Sequence, residues 1–150
     1  MLDGFRESLG MPLSAMFGLA LLGVPRVIAH DLRLASPLVN ALLVFVPIAV
    51  WPAIVLWLRA PNAFRTLLIT GVIYGVLLDV VHQLLWTPAF GGAAPGLDGN
   101  LAGVPAPSAE GLLLRAFAFL SGLVTGVLVG AGTGMVGWMI AKAVPGFRKH

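Results

Sequence analysis

Cysteine is absent from the 150 residues. That excludes a disulfide framework, a thiolate metal site, an iron–sulfur cluster and a CxxC redox pair. Charge is scarce as well: Asp, Glu, Lys and Arg together make up 10% of the chain, against about 25% in an ordinary soluble domain. The net charge of +3 rests on nine basic against six acidic residues. No run of five or more basic residues occurs, so no nucleic-acid partner is indicated. The chain has no GxSxG, HExxH or phosphate-binding P-loop motif and no GxGxxG placed after a strand, and no hydrolase, metalloprotease or nucleotide-binding reading follows. No cofactor is called for.

Apolar side chains are abundant. They account for 59% of the sequence, and the mean hydropathy is +0.98. This balance excludes a soluble globular domain and a disordered tail. Four long apolar stretches cover residues 12–29, 37–58, 64–86 and 112–141. A spanning helix needs roughly 20 apolar residues, and in lipid the backbone must satisfy its own hydrogen bonds. The stretches do not alternate as barrel strands would. The expectation is an all-α polytopic membrane protein: residues 1–150 as one domain, with four transmembrane helices in one bundle. Val27-Ile28-Ala29 would pass as a signal-peptide cleavage site. However, Arg26 interrupts the segment, and the residues before it carry Asp3 and Glu7 against Arg6, so the first stretch reads as an uncleaved helix, the least regular of the four. Pro47 and Pro52 interrupt the second helix. The fourth is longer than a bilayer requires and should tilt, or break near residues 130–134. Residues 87–111, rich in Gly, Ala and Pro and without Lys or Arg, read as a loop.

Cytoplasmic loops carry the excess of Lys and Arg. With four spans, Arg6, Arg59, Arg65, Lys142, Arg148 and Lys149 fall on one side, and Arg26, Arg33 and Arg115 on the other. Both termini are therefore expected in the cytoplasm of a bacterial inner or plasma membrane, with the 87–111 loop outside. Ionisable groups inside a span are costly and usually face protein or water. Here Asp79, His82, Gln83, Asn40, Arg115 and Arg26 all fall in the outer half of their helices. The inner half offers only threonines and aromatic edges.

Glycine sets the expected packing. Gly122, Gly126, Gly130 and Gly134 recur every four residues, and each step turns the helix by about 40°, so they form one stripe. Gly71 and Gly75 share an arc of about 80° with Asp79 and His82. If helices three and four pack through these Gly-rich faces, Asp79 and Arg115 fall on facing sides, and an ion pair between them is expected. It would act as a register device or as part of an outward-open site. The glycine stripe reads first as internal packing and second as a homo-oligomer interface.

The metal reading is weak. Asp79 and His82 are spaced i, i+3, and His30 or Asp31 could complete a ligand set, but metal sites need three or four well-placed ligands. A bis-histidine haem on His30 and His82 has no further signature. Asp98-Gly99-Asn100 is explained by a turn rather than by a calcium site. The leading functional expectation is a non-enzymatic membrane component, a subunit or oligomer whose partners are the lipid bilayer and other copies or a larger membrane complex. A transporter or channel with a polar pocket around Asp79, His82 and Arg115 is the alternative. A membrane-embedded enzyme or a metal or haem site is the third.

Overall fold

Proline and short polar side chains set where the helices begin. Ser36 caps a helix whose first residue is Pro37, its hydroxyl accepting from the Val39 amide at 3.4 Å. Asn62 caps the next, accepting from the Arg65 amide at 3.0 Å. Such caps satisfy amides that have no intrahelical partner. In the computed structural model, which describes residues 8–93 and 95–144, the elements are α1 (Leu13–Leu21), α2 (Val24–Asp31), α3 (Pro37–Trp57), α4 (Ala63–Leu84), α5 (Trp86–Ala89), a 3-10 turn at Gly99–Leu101, and α6 (Pro107–Ala143). The described residues contain no strand. Four segments are long and apolar enough to cross a membrane: α1 with α2, α3, α4 and α6. Arg6, Arg148 and Lys149, on which the charge asymmetry partly rests, lie outside the described residues, as do Asp3 and Glu7.

The connections are tight. Arg33 and Arg59 each adopt a left-handed conformation (φ 54° and 51°) just after a helix. The amide of Leu34 returns to the Ala29 carbonyl at 2.8 Å, and that of Ala60 to Val55 at 3.2 Å. This is the Schellman arrangement, usually built on glycine.

The first apolar stretch is broken at Leu22–Gly23. Gly23 donates to Ala20 instead of continuing the ladder. The carbonyl of Leu19 therefore accepts the Trp51 indole N–H at 2.8 Å, fully buried. Trp51 meets Tyr74 edge-on at 5.4 Å, and a Cβ on Gly23 would collide with the Tyr74 ring. The break thus becomes a docking point of α1 and α2 on α3 and α4. One end of the core is closed by Thr66, which donates to both Leu9 and Asn62 carbonyls at 2.8 and 2.9 Å.

α4 is the central helix. It touches α1, α2, α3, α5 and α6, and 39% of its apolar window is buried, against 17% for α3 and 11% for α6. Its approach to α6 is the closest in the molecule. A Cβ on Gly126 would lie 2.5 Å from the Cα of Gly75, and one on Gly130 would lie 2.9 Å from the Cα of Gly71. Further along, a Cβ on Gly134 would lie 2.9 Å from the Phe64 carbonyl oxygen. Moving up α6 from Gly126 to Gly130 to Gly134 moves down α4 from Gly75 to Gly71 to Phe64, so the two run antiparallel. Every buried residue of α6 is a glycine or Thr133. Its large side chains, such as Phe117, Leu128 and Met135, are exposed.

α6 differs from the sequence expectation in two ways. It starts at Pro107 rather than near 112, and it runs unbroken through 130–134. Pro at the first position suits a helix start. Glu110 in the first turn favours the positive end of the helix dipole and accepts the Leu97 amide at 2.5 Å, tying the preceding loop down. The glycines do not break the helix because α4 is packed against them. The loop also contains the short α5 and the 3-10 turn.

Two leucine substitutions separate seam from surface. Gly126→Leu should cost about 3 kcal/mol or more, because the clash is with backbone. Gly132→Leu, whose Cβ would meet nothing within 4 Å, should stay within about 0.5 kcal/mol. Thermal unfolding in micelles, followed by helical circular dichroism, measures both. Equal losses would contradict the seam.

Candidate functional site

The polar groups gather at the end of the molecule where α2 and α4 finish and α6 begins. α2 delivers Arg26, His30 and Asp31 on successive turns, and α4 delivers Asp79, His82 and Gln83. Asp31 is the organising residue. It is 8% exposed, and its Oδ2 lies 2.7 Å from His82 Nδ1 while its Oδ1 lies 3.4 Å from His30 Nδ1. A carboxylate only accepts, so His82 Nδ1 is assigned the proton. In the neutral ring that leaves a lone pair on Nε2. The imidazole is braced by edge-on contacts to Trp86 at 5.6 Å and Phe90 at 6.4 Å. His82, Trp86 and Phe90 stand at four-residue steps across the end of α4 and α5.

Asp79 does not pair with Arg115. Its side chain is turned into the α4–α6 seam, with Oδ1 occupying the space that a Cβ on Gly122 would fill, and Oδ2 is buried without a hydrogen-bond partner. Arg115 lies seven residues before Gly122, about 10 Å along the axis. At that level it meets Trp86, with the guanidinium 4.9 Å from the ring centroid. It also donates to Gln83 Oε1 at 3.0 Å, while Gln83 Nε2 donates back to the Arg115 carbonyl at 3.0 Å. Asp79 and Arg115 stand on the two different helices, about two turns apart in register.

The remaining candidates divide. Asn40 is on the first turn of α3 and joins none of the cluster's hydrogen bonds; its Oδ1 is buried without a partner. Arg26 is half-buried, makes no ion pair among the described residues, and has an unpartnered, buried Nε. Among the described residues, no group of three or more His, Cys, Asp or Glu could hold a metal ion. His30 and His82 share the Asp31 carboxylate.

A recess of about 350 Å³ opens between α2, α4 and α6, walled by Arg26, His30, Asp31, His82, Ser121 and Thr125 among others. Ser121, Thr125 and Phe90 were not anticipated. Phe90 had a signal in the sequence, the i, i+4, i+8 spacing of His82, Trp86 and Phe90. The two hydroxyl residues had none, since Ser and Thr are common on packed apolar helices. No family model, no curated protein and no solved structure matches the chain.

Nitrogen NMR of the labelled protein in bilayers should show neutral His82 protonated at Nδ1 and bare at Nε2. Asp31→Ala should remove that preference and cost roughly 1.5–3 kcal/mol, as for a charge-assisted hydrogen bond. A wild-type signal from the Nε2–H form would contradict the assignment.

Proposed function

We propose that this chain is a non-enzymatic integral membrane component that works by binding a ligand in the Arg26–Asp31–His82 recess. In this reading the four apolar helices form one bundle, with the α4–α6 glycine faces as its rigid spine. The recess opens on the outer side, and both termini lie in the cytoplasm. The supporting observation is the pairing pattern around the recess. Asp31 has both oxygens engaged by imidazoles, while Arg26 has no ion-pair partner among the described residues although it lies within an apolar span. A charge at such a position is costly unless something compensates it.

The glycines bear on the oligomer reading. Gly71, Gly75, Gly122, Gly126 and Gly130 lie against one another or against Asp79 within the chain, which supports internal packing over a homo-oligomer interface for this stripe. The channel reading needs polar groups along the whole depth. Beyond Thr125 the wall is mostly apolar, with Ile48, Pro52, Val129 and Val136 at its far end and Trp51 and Tyr74 in the middle. Thr133 contributes a hydroxyl, but it donates to its own helix at 2.8 Å. Binding therefore fits better than conduction.

The absence of cysteine allows a clean test. Single cysteines at Ser121, Thr125, Val129 and Val136 should react with a membrane-impermeant thiol reagent only at the first two positions, and only from the outer side. Reaction at all four would favour an aqueous path and transport. No reaction at Ser121, or reaction only from the cytoplasmic side, would overturn the binding reading or its orientation.

A further inference from the structure

The recess does not end at Arg26. That residue also lines a second cavity of about 140 Å³, walled by Leu43, Pro47, Ile48, Trp51 and Val129 among others. A third cavity of about 290 Å³ shares Ile48 and Val129 and continues past Pro52 to Gly132 and Val136. Through the shared residues Arg26 and Thr125, and then Ile48 and Val129, the three cavities follow one line along α6, past α2 and then α3. From Ala118 to Val136 the line covers about 27 Å of helix rise, close to the roughly 30 Å of a hydrocarbon core. Its polarity changes once. The recess end carries Arg26, His30, Asp31 and His82, and the far end is almost wholly apolar.

The prolines help to explain the trough. Pro47 and Pro52 supply no amide to the carbonyls of Leu43 and Ile48, and their rings and the Val129 and Val136 side chains leave an apolar wall. Gly132 adds no side chain, and a Cβ there would meet nothing within 4 Å. Arg26 stands where the polar and apolar parts meet. It is four residues past the centre of the Leu13–Asp31 span, about 6 Å by helix rise. Its buried Nε has no partner. A cation placed there needs an anion, and guanidinium suits phosphate in particular. The space beyond it suits a hydrocarbon chain.

We infer that this line of cavities binds a phosphate-bearing membrane lipid, with the phosphate on Arg26 in the recess and one hydrocarbon chain along the trough to Val136. The narrow middle cavity admits one chain, and a second remains in the surrounding bilayer. Asp31 forms its ion pairs with His30 and His82, and none with Arg26. The inference rests on the binding reading above and names the class of ligand.

Native mass spectrometry of the full chain, titrated with phosphatidylglycerol or with diacylglycerol of the same chains, tests it. One phosphatidylglycerol should be retained per chain, about tenfold more tightly than diacylglycerol, the scale of one charge-assisted contact. Arg26→Gln should abolish that preference while leaving weak binding of both lipids. Gly132→Phe should block the trough and weaken both lipids about tenfold or more. Circular dichroism should show both variants as helical as the parent. Equal retention of the two lipids by the wild type would overturn the role of Arg26. Competition by soluble glycerol phosphate that persists in Gly132→Phe would identify a free-anion site and overturn the lipid. A dimer that retains no lipid would assign the groove to a second copy and also overturn it. If the cysteine labelling of Ser121 succeeds while lipid retention fails, this inference falls and the binding reading stands. If both fail, the binding reading falls with it.

Discussion

The structure depends on how closely two backbones approach. α4 and α6 meet where neither has a side chain, so backbone packs directly on backbone in the space that Cβ atoms would otherwise fill. Between apolar helices in lipid no hydrophobic force distinguishes neighbour from solvent. Close fit and polar contacts must then select the partner. The seam supplies the fit along most of α4, while α1, α2 and α3 also pack on α4, and α3 packs on α6 as well. The Trp51 indole bond to the Leu19 carbonyl and the Trp51–Tyr74 contact fasten the broken first span in the same way, through geometry rather than through area.

The seam also sets the chemistry. Its register places Asp79 in the gap left by Gly122 and carries Arg115 two turns higher, onto Trp86 and Gln83. Asp79 is thereby withdrawn from the recess, and Asp31 takes over as the acid that orients His82. Arg26 is left without an ion-pair partner among the described residues. A one-turn shift of α6 would rearrange the placements of Asp79 and Arg115, so the contact between the helices and this part of the site are linked.

Much of the architecture was legible in the sequence, because apolar runs of spanning length and the few prolines and caps directly constrain helices in a nonpolar medium. Rotation per residue places Gly71, Gly75, Gly122, Gly126 and Gly130 on common faces from spacing alone, but spacing says nothing of axial register. The spacing of Arg115 before Gly122 gives its face but not the level at which α6 meets α4, and so the sequence suggested an Asp79–Arg115 pair that the structure does not form. The start of α6 was hidden because Pro107, Ser108 and Glu110 are loop residues by composition and helix-start residues by position. Asp31 emerged as the organising acid only when α2 was placed beside α4, a contact across 51 positions of sequence.

The most direct measurement of the seam is carbon–carbon correlation in solid-state NMR, with only glycine Cα labelled and the protein diluted in unlabelled copies in bilayers. Contacts between Gly71 and Gly130, and between Gly75 and Gly126, should persist unchanged on dilution, as intramolecular neighbours must. Their absence, or their disappearance as unlabelled protein is added, would contradict the account.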